Sequence, residues 1–393
     1  MLKNSLKNNK SEKLESLLLN ITESCNLTCN YCIYSGNYEG ERTNTGKQMS
    51  FETAKKAIDF FMPRSNSNNA LIGLYGGEPL NNSELIKRIA QYVKTTYPDN
   101  PVVLSMTSNF VEAGSHLEMI LENDMYANIS IDGPKEVHDT QRKTLQGEPT
   151  YDKIIKNLQD LEKKSPGYVK SHIGVNGTVA ESKHFPKSID YFIQHDHEFN
   201  GMRLGNAESK GTDEEKDNSG VIPSLLEYAG AYIDQVVSDE QPPKVLKRLF
   251  DDPVKAVYMR SEQQMPETLR LEGACFPGER KLFVDTDGSF YMCEKFGKRA
   301  QIGNVDKGID SEAVTRYIDD FTQIRNEACT DSCWSQRLCL PCIQSAKDYS
   351  AEISSQGLSQ SCEGFKSQAI IGLAVYAEIN RQNPAALKNY FQR

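Results

Sequence analysis

The 393-residue sequence predicts an α/β fold, in which close to six β/α repeats form a parallel sheet covered by helices, followed by a smaller cysteine-rich α+β region. Two observations carry this. Apolar runs of strand length alternate with segments of helical period between residues 15 and 210, a pattern that places helices outside a parallel sheet. Seven of the ten cysteines then fall after residue 270, in a stretch with hairpin and turn signals.

After a polar tail over 1–14, the run LESLLLNIT is the first strand. SFETAKKAIDFFM follows as a helix, with Ser50 as its N-cap and Ala54, Ala57, Phe60 and Phe61 on one face. ALIGLYGGEP, PVVLSMTSN, ANISIDG, KSHIGVNGTV and GMRLGNA read as further strands. Helices over NSELIKRIAQYVKTTY, HLEMILEN, TYDKIIKNLQDLEKK and FPKSIDYFIQHD alternate with them. The charged run ESKGTDEEKDNSG is expected to be an exposed loop that closes the first domain. The resulting division is 15–210 for the sheet domain, 211–270 for the loop and a helical connector, 271–370 for the cysteine-rich domain and 371–393 for a final helix. In the cysteine-rich part, FVDTDGSFYMC is expected to form a hairpin with Asp287-Gly288 at its turn.

A net charge of -9 and the absence of a basic stripe exclude a nucleic-acid partner. The N-terminal stretch lacks the apolar core of a secretory signal, and no later run is long enough to span a bilayer, so the expectation is a cytoplasmic protein with no membrane partner. In that compartment thiols stay reduced, and ten closely spaced cysteines point to metal rather than to disulfides.

Cys25, Cys29 and Cys32 follow directly on the first strand, at the strand ends where parallel sheets carry their chemistry. A [4Fe-4S] cluster that only carries electrons takes four thiolates, so three would leave one iron open. Zinc is the competing reading, but a catalytic zinc loop of three close cysteines with no neighbouring histidine would be unusual. The spacing Cys25-x3-Cys29-x2-Cys32, with Tyr31 before the last cysteine, resembles the cluster loop of the radical S-adenosylmethionine (SAM) superfamily, and GGEP at 76–79 falls where that family has its SAM-binding turn.

The resemblance implies a partial (β/α)6 barrel and SAM chelating the open iron. It also implies SAM contacts from Tyr31, Gly76, Gly77, Glu78, Pro79 and Ser108. In SIDGPKEVHDTQR it implies Ser130 and Arg142 at the SAM carboxylate and ribose, with Asp132 as a further cofactor-binding residue, and Leu204 in the last strand packing on the adenine. Taken alone, Ser130 and Asp132 would read as a strand-ending turn and Arg142 as a surface ion pair.

The later cysteines read Cys275-x12-Gly-x4-Cys293, then Cys329-x3-Cys333-x5-Cys339-x2-Cys342-x19-Cys362. This resembles the SPASM domain, the C-terminal extension of many peptide-modifying radical SAM enzymes, which holds two auxiliary [4Fe-4S] clusters. A zinc ribbon over 329–342 is the competing reading. By the family pattern Cys329, Cys333, Cys339 and Cys362 would bind the distal cluster, leaving Cys275, Cys293 and Cys342 for the nearer one. Two full clusters need eight thiolates and seven are present, so one auxiliary iron should lack a protein ligand.

The resemblance implies three clusters, reductive cleavage of SAM to a 5'-deoxyadenosyl radical, and hydrogen abstraction from a ribosomally made peptide. An auxiliary cluster would accept the electron or bind substrate, and a flavodoxin or ferredoxin would donate the first one. An intrapeptide cross-link, thioether or C–C/C–O, ranks first. Formylglycine formation ranks second because sulfatase-maturing relatives carry aspartate where this chain has Glu294, the candidate base. Epimerisation ranks third, since all ten cysteines already have roles. An electron-carrying or zinc-stabilised scaffold is the reading from outside enzymology. The first strand begins too early for a leader-binding domain of the usual kind. The expectation is therefore direct peptide binding, or presentation by a separate leader-binding protein.

Overall fold

The computed structural model describes residues 14–65, 70–207, 221–260, 278, 280–329, 333–339, 341–348 and 352–392, and the backbone alone for 221–223. The tail over 1–13, the charged loop over 208–220 and Cys275 lie outside the described residues. Leu14, assigned to the tail by sequence, is fully buried in the core.

The strands, in chain order, are β1 (Ser16–Thr22), β2 (Leu27–Cys29), β3 (Ala70–Gly76), β4 (Val102–Ser108), β5 (Tyr126–Ser130), β6 (Arg142–Thr144), β7 (Ile173–Val179) and β8 (Gly201–Asn206). Four short strands follow: β9 (Lys281–Val284), β10 (Ser289–Tyr291), β11 (Gly303–Asn304) and β12 (Gly308–Ile309). The first helices are α1 (Phe51–Phe61), α2 (Ser83–Thr96), α3 (Leu117–Glu122), α4 (Lys135–Gln141), α5 (Tyr151–Lys164), α6 (Tyr168–His172) and α7 (Phe185–Gln194). Then come α8 (Val221–Val237), α9 (Lys244–Tyr258), α10 (Ser311–Ala328), α11 (Ser355–Gln382) and α12 (Ala386–Phe391).

The strands β1-β3-β4-β5-β7-β8 lie side by side, all parallel, in chain order. Each crossover carries a helix, as the α/β reading predicts. On α1 the Ser50 hydroxyl caps the helix by accepting the Thr53 N–H at 3.0 Å. Ala54, Ala57, Ile58 and Phe61 are buried, while Phe60 is only partly buried and packs on Phe290 with ring centroids 5.1 Å apart.

The cysteine-rich region does not form a sheet of its own. Its hairpin turns at Asp287-Gly288 as expected, with Gly288 at φ 87°, and β9 then pairs in parallel with β1. The result is one ten-stranded sheet in the order β12-β11-β10-β9-β1-β3-β4-β5-β7-β8. The boundary expected at 371 falls inside α11, which begins at Ser355 and carries Cys362. Polar residues in its first turns hide that start, and close packing enforces it. A Cβ on Gly357 would lie 2.2 Å from the Ala346 carbonyl oxygen, and one on Gly372 2.4 Å from that of Pro253. Among the described residues no helix is long and apolar enough to cross a membrane.

Candidate active site at the three-thiol loop

β1 delivers the chain to Cys25, and two backbone devices then shape the loop. β2 pairs antiparallel with β6, setting Cys29 opposite Arg142. The Cys32 N–H donates to the Cys29 carbonyl at 3.1 Å and the Ser35 N–H to that of Cys32 at 3.0 Å, so the segment coils tightly. Asn30 fastens it to α4: its backbone N–H donates to the Gln141 carbonyl at 3.1 Å and its side chain to that of Thr140 at 3.2 Å.

The GGEP turn lies directly against this loop. The Gly77 N–H donates to the Thr22 carbonyl and the Glu78 N–H to that of Ser24, both at 2.9 Å. A Cβ on Gly76, at φ 139°, would stand 2.1 Å from the Thr22 oxygen. One on Gly77 would stand 2.4 Å from the Ser24 oxygen and 3.1 Å from Cys25 Cβ. Only glycine permits this approach. Pro79 is buried and opens a short 3₁₀ turn.

Glu78, 1% exposed, accepts from the Leu80 N–H at 3.1 Å, the Ser108 hydroxyl at 2.8 Å and the Asn109 N–H at 2.7 Å. Burial pushes its carboxyl up to about 7 against the pull of these donors. Glu78 and Ser108 therefore tie the end of β3 to that of β4.

Asp132 is the hub on the opposite side. It is fully buried and accepts four hydrogen bonds: Arg142 Nε at 2.9 Å, Arg142 Nη2 at 3.1 Å, the Tyr31 hydroxyl at 2.6 Å and the Thr178 N–H at 2.9 Å. Arg142 Nη1 points at Cys29 Sγ, 3.9 Å away, and its guanidinium stands 5.3 Å from the Tyr31 ring centroid. The surface ion pair is thus replaced by a buried bidentate one that grips the cluster loop. Ser130 is half-buried at the end of β5, in register with Asn176 and, through it, Arg203. Leu204 is turned the other way. It is paired with Gly177 on the helix-facing side, where a Cβ on Gly177 would meet both Leu204 Cδ1 and the buried Phe192 ring at 2.8 Å. The expected packing of this side chain on an adenine gives way to packing against α7, because strand alternation sends neighbours to opposite faces.

His138, which sequence reading passed over, supports the hub. Its Nδ1 lies 3.4 Å from the Asp132 backbone nitrogen and its Nε2 3.0 Å from Thr150 Oγ1. Burial, then the Arg142 charge, pulls it down to about 4 from 6.5. A depressed folded-state pKa gives stability that is present above 6.5 and lost as pH falls toward 4. Wild type should therefore lose about 3 kcal/mol of unfolding free energy over that window relative to His138→Gln, read by denaturant titration at each pH.

Burial raises all three loop thiols, Cys25 to about 12. The N–H groups of Leu27, Tyr34 and Ser35 and the Arg142 charge oppose it. Such thiols ionise when a cationic centre joins them, and the surrounding donors already favour thiolate. The nine described loop and later cysteines are all half-buried, and the later ones divide in two. Cys339 senses the charges of Cys329, Cys362 and Cys333, while Cys293 senses that of Cys342. Among the described residues no three His, Cys, Asp or Glu side chains converge as the ligands of one metal ion. A four-iron cluster takes each thiolate on a separate iron, and the all-sulfur donor set of the loop fits such a group.

A family model described as a 4Fe-4S single cluster domain matches residues 17–156, from β1 through most of α5. A cysteine-type anaerobic sulfatase-maturating enzyme of Clostridium perfringens is 24% identical over 372 residues, 90% of this chain and 94% of its own length. The structure of native anSMEcpe with bound AdoMet and Cp18Cys peptide superposes with a TM-score of 0.68 at 22% identity, covering 93% of this chain and 99% of that one. The chain is thus similar in sequence to a sulfatase-maturating enzyme and shares the fold of the anSMEcpe structure. A second structure, that of Streptococcus suis SuiB bound to precursor peptide SuiA, has a TM-score of 0.55 at 12% identity over 80% of this chain and 67% of that one.

Proposed function

We propose that the enzyme installs a cross-link, thioether or C–C/C–O, in a ribosomally made peptide. Cys25, Cys29 and Cys32 would hold the [4Fe-4S] cluster whose open iron takes SAM, and the bound pair supplies a 5'-deoxyadenosyl radical. Arg142 and Asp132 fix the loop's orientation, and the Gly76-Gly77 backbone lies beside Cys25. Cys329, Cys333, Cys339 and Cys362 would hold one auxiliary cluster, and Cys275, Cys293 and Cys342 a second with an open ligand position. A flavodoxin or ferredoxin would supply electrons. The peptide would bind the protein directly, the acidic balance suiting a basic leader, with a separate leader-binding protein as the other route.

The observation that carries the cross-linking reading is the state of Glu294. Its two carboxylate oxygens face Lys281 Nζ at 3.1 and 3.4 Å, and the side chain is 19% exposed. A carboxylate serving as the base of formylglycine formation must reach the substrate's proton, and this one is held by a cation. Formylglycine formation is the second reading, favoured by the near full-length match to a sulfatase-maturating enzyme. Peptides encoded beside the gene, incubated anaerobically with SAM and reductant, decide between them. A loss of two hydrogens with no hydrazide-reactive carbonyl is expected. A hydrazide-reactive aldehyde would establish the second reading instead.

A further inference from the structure

Beyond the thiol loop itself, the chain that follows it, 33–48, reaches across to the cysteine-rich region through two adjacent residues of opposite charge. Arg42 is 1% exposed and its Nε donates to Asp285 Oδ2 at 2.9 Å, while Asp285 is 2% exposed. The guanidinium lies between two rings of the hairpin, 4.5 Å from the Phe283 centroid and 4.3 Å from that of Tyr291, and also donates to the Phe296 carbonyl. That hairpin runs on into Cys293. Its neighbour Glu41 pairs with Lys347, with 4% and 7% of the side chains exposed, and Lys347 closes the short turn that begins at Cys342. Lys347 Nζ also donates to the Lys295 carbonyl at 3.2 Å, joining the two segments to each other.

The same bridge reaches β1. Asn20 Nδ2 donates to Asp285 Oδ1 at 2.7 Å, and Glu23, two residues before Cys25, accepts from the Thr286 hydroxyl at 3.2 Å and pairs with Lys298 at 3.5 Å. Asn20 and Arg42 also line a small cleft together with Gly76 and Gly77, so the bridge borders the turn beside Cys25. Buried charges are costly to desolvate, and two independent pairs on consecutive residues are a poor way to gain stability alone. They are a good way to fix geometry, because each charge has one low-energy location.

We infer that Glu41 and Arg42 form a double latch that positions the segments bearing Cys293 and Cys342 against the Cys25–Cys32 loop. Both are positioning residues. Opening one arm releases its segment and loosens the loop, while the parallel sheet stays intact. The inference rests on the reading that Cys293 and Cys342 share an auxiliary cluster only for its functional meaning, since the latch itself is a property of the chain.

The test is hydrogen exchange on the anaerobically reconstituted full chain, comparing wild type with Glu41→Gln and Asp285→Asn, which remove one charge each at nearly constant volume. If a variant is too unstable to purify, Arg42→Lys keeps the charge and loses only the forked geometry. Exchange should rise by about ten- to a hundredfold in 343–348 for Glu41→Gln and in 281–300 for Asp285→Asn, and in 23–48 for both, with β4, β5 and β7 unchanged. A rise spread over β4, β5 and β7 would show a general stability role and overturn the inference, as would unchanged exchange in 23–48. Iron counted on the same samples separates the two ideas. Four irons or fewer per wild-type chain, with the local exchange pattern intact, would remove the auxiliary-cluster reading and leave the latch standing.

Discussion

Replacing Cys29 by serine should abolish 5'-deoxyadenosine formation from SAM, a fall of about a thousandfold or more, while the far-ultraviolet circular dichroism stays that of wild type. Iron content should drop by about four per chain. Cys29 is chosen because its surroundings distinguish the metal role from a packing role. Its thiol lies half-buried on a three-residue strand whose partner residue, Arg142, directs a guanidinium corner at the sulfur. Serine keeps the backbone pairing and most of the volume, so a structural cysteine would tolerate it. A hydroxyl does not ionise beside Arg142 as a thiolate joined to iron does, and the loop would lose one of its three ligands. Measured SAM cleavage at a tenth of wild type or above would remove Cys29 from the site. An intact iron count with activity lost would instead reassign it from ligand to contact.

Much of this site was legible in the sequence because its signals are local. The three-thiol spacing, the glycines of GGEP and the Asp287-Gly288 turn each occupy a few consecutive residues, and each makes the structure its chemistry demands. Strand order in the main sheet was legible for a related reason, since successive β/α units pair with the strand just made. Long-range pairings left no such mark. β9 is four residues long and buried, and nothing in KLFV announces that it lies beside β1, some 265 residues earlier. The β2–β6 pair has three residues a side and was hidden within a loop and a motif. Leu204 was misread by one step of strand alternation, which is invisible when a short edge strand carries glycines at Gly201 and Gly205. Nothing in the sequence singles out Glu41 and Arg42, and only the folded chain shows that both side chains are buried.

Asp132→Ala should be the most destabilising single change at the site, by about 3–5 kcal/mol, with the midpoint of thermal unfolding lowered by about 5 °C. The reason is asymmetry. Asp132 accepts from both arms of Arg142, from Tyr31 and from the Thr178 backbone, and removing it leaves a buried guanidinium with no counter-charge and a tyrosine hydroxyl with no acceptor. Arg142 is buried, so water cannot take over the lost bonds. The companion variant Arg142→Met leaves the carboxylate in place with two donors still on it and should cost less. The double variant Asp132→Ala with Arg142→Met removes both charges together and should be more stable than Asp132→Ala alone. That ordering follows from a buried ion pair whose value lies in mutual neutralisation. If the double variant were as unstable as the sum of the two singles, the pair would contribute no coupling, and the orientation of Cys29 would have to be attributed to the β2–β6 backbone pairing alone.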